Sequence, residues 1–228
     1  SAWTAAHLLP LFNWSCPAEA QSLWRGFLWF PRLYRPLLAA FKADFLGTAR
    51  HYAELGEHAG QYVTLLTYAA LDAEGVFAPR ELYETFNDLP REGLPAAAQA
   101  LVRALEGAGK QREPFWINRI QPFWQKVWPK SKSLASVQIA EQLARLAVAA
   151  GGEFPAALNA VKAWLCPLAF PDHVVRRLHQ SELCARFPQE ALQLMAAIID
   201  DRSMAPTHLG ECLSAVAQVW PGARHDPD

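Results

Sequence analysis

The chain has little of several things that would announce a function. It holds four cysteines in 228 residues, Cys16, Cys166, Cys184 and Cys212, and no two of them form a C-x-x-C pair. With no basic, apolar leader at the front, this spacing reads as reduced, mostly buried thiols and sets aside a disulfide framework or a zinc site. No run of 18 or more apolar residues occurs, which removes a membrane-spanning helix and leaves the cytoplasm as the expected location. A glycine-rich phosphate loop, a G-x-S-x-G elbow and an H-E-x-x-H pair are all missing, so the best-known nucleotide, hydrolase and metalloprotease signatures are excluded. Valine, isoleucine and threonine are sparse beside alanine and leucine, and nothing reads as a run of strands. An excess of one charge is lacking too: a net charge of −1 and a pI of about 6.6 argue against a dedicated nucleic-acid-binding domain.

What is present is apolar and helical. At 52% hydrophobic and 19% charged residues the chain is globular and long enough to bury a substantial core. It starts at Ser1 and enters an apolar pattern almost at once, which reads as a fragment of a larger polypeptide. Apolar residues recur at helical spacing in segments punctuated by proline and glycine. The expected helices cover Trp3 to Phe12, Pro17 to Trp29, Leu37 to Leu46, Thr48 to Leu55, His58 to Leu71, Pro79 to Asp88, and Leu94 to Leu105. Beyond the tryptophan-rich middle, Ser131-Lys132-Ser133 is expected to cap a helix through Ile139, Leu143 and Leu146 that Gly151-Gly152 stops. Phe154-Pro155 and Phe187-Pro188 are similar helix starts 33 residues apart, with Ala205-Pro206 a weaker third. The expected fold is therefore all-α, about a dozen helices, with a degenerate solenoid-like helical repeat as the arrangement these recurrences suggest. The glycine-flanked junction Gly107 to Glu113 is the candidate boundary between subdomains 1–109 and 110–228, with one continuous domain as the alternative.

The stretch Trp116 to Pro129 holds three of the nine tryptophans. Trp116, Ile117, Ile120, Phe123, Trp124, Val127 and Trp128 make a wide apolar face, and Pro122 inside the pattern predicts a kink or break. Between Lys110 and Lys132 six basic residues stand against one acid, Glu113. Cations interleaved with rings suit single-stranded nucleic acid, but helical spacing explains the rings as core without any ligand. The acidic stretch Asp72 to Glu92 is a candidate counterpart for the basic one.

Candidate chemistry is thin. His51, Glu54 and His58 have helical ligand spacing, but Gly56 interrupts the helix they need. His173, His179 and Cys184 are close in sequence without a second cysteine or a spaced acid. Glu141 and Glu153 lack pairing geometry for acid–base work. Arg176-Arg177, with Arg186 nearby, is a candidate contact for an anionic partner, with a solvated face as the plainer reading. No catalytic residue, cofactor site or metal site is assigned. The candidate contact residues are Arg119, Lys126, Lys130, Lys132, Arg176 and Arg177.

Phe12-Asn13-Trp14-Ser15-Cys16-Pro17, Trp29-Phe30-Pro31-Arg32-Leu33-Tyr34, Pro122-Phe123-Trp124, Val127-Trp128-Pro129-Lys130 and the segment from Phe187-Pro188 to Ile199 together carry a resemblance. The chain resembles the uncharacterised helical domain found near the C-terminus of large bacterial proteins, often beside a SIR2-like domain and in anti-phage defence neighbourhoods. The likeness spans nearly the whole chain, and its motifs are structural, so no functional residues carry over. It implies a sensor, scaffold or regulatory module, with an effector such as an NAD-consuming domain elsewhere in the full protein. Three expectations follow: a non-catalytic module that contacts a protein or other domains of its own chain; a nucleic-acid sensor using residues 110–132; and, more weakly, a hydrolase site gathering His51 or His173 with distant acids.

Overall fold

Proline and glycine set most of the helix boundaries. A computed structural model describes residues 7–220 other than 33 and 73, with the side chain of Lys132 also outside the description. Among the described residues every regular element is helical. A 3-10 turn over Leu9–Phe12 is followed by α1 (Pro17–Trp29), α2 (Arg35–Ala40), α3 (Lys42–Gly47), α4 (Ala59–Leu71), α5 (Pro79–Asp88) and α6 (Leu94–Gly107). Then come α7 (Arg112–Phe115), a π-helical turn (Trp116–Ile120), α8 (Gln121–Lys126), α9 (Val137–Ala149) and α10 (Phe154–Val161). The last four are α11 (Asp172–Gln180), α12 (Leu183–Arg186), α13 (Pro188–Ile198) and α14 (Leu209–Val219). Pro17, Pro36, Pro79, Pro155 and Pro188 all sit in first turns, where a missing N–H removes no helical hydrogen bond.

Several elements differ from the sequence expectation for local reasons. The beginning of the Trp3 to Phe12 helix lies outside the described residues, and its end is the 3-10 turn. The stripe Leu37 to Leu46 is two helices, because Phe41 leaves helical geometry at φ −122° and ψ 30° while its ring is buried beside Trp24. Thr48 to His58 forms two 3-10 turns, the second kinked at Gly56, whose φ of 58° and ψ of −128° suit only glycine. The polar cap lies later than Ser131-Lys132-Ser133: the Ser136 Oγ accepts from the Ile139 N–H at 3.2 Å and starts α9.

The chain packs as two compact units, Ser1–Leu101 with Arg119–Lys130, and Val102–Asn118 with Ser131–Asp228. The division thus differs from one at the Gly107 to Glu113 junction. Leu101 and Val102 are consecutive residues of α6, and Phe123 of α8 joins the first unit against α5.

In the first unit the wholly buried Trp24 is the hub. The rings of Phe12 and Phe41 lie 5.0 and 5.6 Å from it, and its indole N–H donates to the Phe12 carbonyl at 3.0 Å. Tyr62, buried on α4, donates its hydroxyl to the Phe45 carbonyl at 2.7 Å, and Phe45 stacks on Phe77 at 5.6 Å. Such ring pairs contribute about 0.5–1.5 kcal/mol each beyond the area they bury. In the second unit α9 packs on α10 and α11, α10 on α13, and α14 on α11, α12 and α13. Among the described residues no helix is long and apolar enough to cross a membrane.

Candidate functional site

The rings of the tryptophan stretch belong to the core. Trp116 and Trp128 are 0% exposed and Trp124 is 8% exposed. Trp124 and Trp128 stack on each other at 4.9 Å, and Phe123 meets Phe86 edge-on at 5.2 Å. Pro122 has no N–H for the Asn118 carbonyl; a π turn over Trp116–Ile120 precedes it, and Pro122 sits in the first turn of α8. Ile117, expected on the apolar face, is 46% exposed because the π turn rotates it off that face. With the rings covered, the segment has no stacking platform for bases.

The cations fare differently from one another. Lys126 is exposed and Arg119 half-buried. Lys130 is bound to the fold: its Nζ donates to the Trp124 carbonyl at 2.6 Å, and burial pushes its amine below the usual lysine range. Lys132 lies outside the described side chains. The ion pairs of the 72–92 acids are made with other cations than those of 110–132, although Arg119 lies near enough to Asp72 to favour its charged form. Arg35 forks onto Asp72 at 2.7 Å and also pairs with Glu74, Lys42 meets Glu81 at 2.6 Å, and Arg50 meets Asp88 at 2.8 Å. An open groove of about 640 Å³ runs beside α3 and α5 in the first unit. Its carboxylates are committed to these ion pairs, with Glu84 held by Arg80 at 2.9 Å, so it offers no spare acid or base.

The histidine sets do not assemble. His51 stacks on Trp14 at 4.3 Å and lies 3.5 Å from Glu54, while His58 packs edge-on to Trp29 at 5.7 Å. His179 stacks on His208 at 5.1 Å. Among the described residues no group of three metal-ligating side chains converges. Of the thiols, Cys184 and Cys212 are buried, Cys166 is half-buried and Cys16 is exposed. The Cys184 thiol is pushed up by its hydrogen bond to the Cys212 sulfur and by burial, and the Cys212 Sγ in turn donates to the Val175 carbonyl at 3.7 Å.

Two further features stand out, one an exposure and one a grouping that the sequence did not indicate. In the first unit three large aromatics close in sequence stand in solvent: Trp29 is 66% exposed, Phe30 81% and Tyr34 63%. They lie where α1 ends and α2 begins, past the last core residue of α1, Leu28. In the second unit Arg177 of α11 reaches a narrow cleft with Arg112 and Arg145, where its Nη2 lies 2.8 Å from Glu106 Oε1. Arg176, its neighbour, is exposed. The arginines of the cleft come from three separate segments at irregular spacing, which no sequence pattern would have grouped.

Comparison with known proteins adds little chemistry. No protein-family model matches the chain, and no solved structure matches it. The chain is similar to the uncharacterized protein y4cA of Sinorhizobium fredii (strain NBRC 101917 / NGR234), at 26% identity over 179 residues. That alignment covers 74% of this chain and 15% of the relative, so the chain spans a small fraction of the relative's length.

Proposed function

We propose that this chain is a non-catalytic helical interaction module of a larger bacterial, cytoplasmic protein, acting as a sensor or scaffold in a defence-type system. Its partner in this reading is another domain of its own polypeptide, which it contacts through Trp29, Phe30 and Tyr34. The exposed aromatic corner carries the reading. Three large rings, close in sequence and each exposed to water, gain free energy when a partner covers them, and tryptophan and tyrosine are the residues on which binding energy concentrates. The similarity to a bacterial protein several times longer than the aligned segment supports a partner within the same chain. The resemblance to the helical domain of SIR2-associated proteins supports a regulatory task, with the effector chemistry placed elsewhere. The commitment of the groove carboxylates to ion pairs is in keeping with a module that does no chemistry itself.

The test is made in the full-length protein carrying Trp29→Ala, Phe30→Ala and Tyr34→Ala. Limited proteolysis is expected to release this module faster from the variant than from the wild type, with its own helicity unchanged by circular dichroism. Equal rates of release overturn the reading.

A further inference from the structure

The cleft in the second unit has the composition of an anion site. Arg112 comes from α7, Arg145 from α9, His173 and Arg177 from α11, and Ser181 from the residue following α11. The cleft is tight: the space open between these walls is about 30 Å³, room for one small group and not for a whole nucleotide. Three guanidinium groups face one lining carboxylate, Glu106, which Arg177 already holds. Arg145 spends one nitrogen on a neutral neighbour, the Gln142 Oε1 at 3.2 Å.

Two buried polar atoms are left over. The Nε of Arg112 and the Nδ1 of His173 are shielded from solvent and make no hydrogen bond. An unmet buried donor costs about 1–3 kcal/mol, and more on a charged group, so the pair marks a place where the fold keeps hydrogen-bonding capacity in reserve. Burial and the nearby Arg145, Arg176 and Arg177 hold the His173 imidazole below its usual range, while Glu141 acts the other way. The potential in the cleft is therefore positive, and the ring is kept neutral beside it.

We propose that this cleft binds the phosphoryl group of a small ligand, with Arg112, Arg145 and Arg177 taking its oxygens and His173 and Ser181 completing the contacts. A carboxylate has two oxygens and satisfies one guanidinium fork. A tetrahedral phosphoryl group presents three or more and can be shared among several forks. Val148 and Ala149 supply the apolar wall, and no ring other than the imidazole lines the cleft, so a stacked nucleic-acid strand has no platform there. The proposal stands apart from the docking role, since it uses neither Trp29, Phe30 nor Tyr34.

Calorimetric titration of the protein with sodium phosphate, pyrophosphate or AMP, each against sodium chloride of matched ionic strength, reads the site directly. Saturable binding is expected for at least one of the three. Tighter binding of AMP identifies a nucleotide's phosphoryl group, and tighter binding of phosphate or pyrophosphate identifies the free anion; either upholds the site. Arg145→Gln and Arg112→Gln are each expected to weaken binding about tenfold or more, while Lys126→Ala leaves it unchanged. A second readout needs no variant: the imidazole resonances of His173 are expected to shift on phosphate addition and not on chloride addition. The proposal is overturned if none of the three anions saturates above the chloride control, if His173 is insensitive to all of them, or if Lys126→Ala weakens binding as much as Arg145→Gln.

Discussion

The indole rings of Trp124 and Trp128 stack 4.9 Å apart with their planes 17° from parallel, and both are buried in the first unit. This pair turns the most ligand-like stretch of the sequence into a packing element. Its consequence is energetic: Trp128→Ala is expected to destabilise the protein by about 3–5 kcal/mol, the usual cost of emptying a buried tryptophan site. Chemical denaturation measures it, and a loss below about 1 kcal/mol contradicts the placement.

Gly56 is required for its backbone. At φ 58° and ψ −128° an L side chain is strained, and a Cβ there would also come within 3.2 Å of the Arg25 Nη2. Gly56→Ala is expected to cost about 1–3 kcal/mol, whereas Gly107→Ala, where a Cβ meets nothing within 4 Å, should cost far less. The comparison of the two unfolding curves checks the kink.

The Asp72 carboxylate is held below its ordinary range, first by the Arg35 guanidinium that forks onto it and then by the Glu74 backbone N–H. A depressed carboxylate pKa contributes stability that is fully present above the unfolded-state value and is lost as pH falls through the folded-state value. The unfolding midpoint is therefore expected to fall on acidification below about pH 4, and less steeply in Asp72→Asn. Identical slopes in wild type and variant contradict the role of this pair.

Thiol reactivity should be graded by burial. Cys16 is exposed and is expected to react with a thiol reagent in the native protein. Cys166, whose thiol burial pushes up, follows slowly, and Cys184 and Cys212 react only on unfolding. Rapid native labelling of Cys184 contradicts the packing of α12 and α14.

How much of this was legible in the sequence varies with the physics involved. Boundaries fixed by local chemistry were readable: α1 and α5 begin at first-turn prolines and span the expected residues. Elements that bend to serve the core were not, as at Phe41, where burial of one ring overrides the continuous stripe from Leu37 to Leu46. The two-unit packing of the tryptophan stretch was also hidden, because Arg119–Lys130 return to the first unit through contacts such as Phe123 with Phe86, far apart in sequence. For the same reason Arg177 was a candidate contact residue from its sequence alone, but its company of Arg112, Arg145 and His173 was not. The exposure of Trp29, Phe30 and Tyr34 had no signal, since the same residue types fill the core at Trp24, Phe45 and Tyr62.

The docking role of that aromatic corner is the central claim, and amide hydrogen exchange across residues 29–34 tests it most directly. The segment is compared in the full-length protein and in this 228-residue chain alone. Docking predicts marked slowing of exchange at Phe30, Arg32 and Tyr34 in the full-length protein, abolished by Trp29→Ala with Phe30→Ala. Equal, fast exchange in both contexts contradicts it.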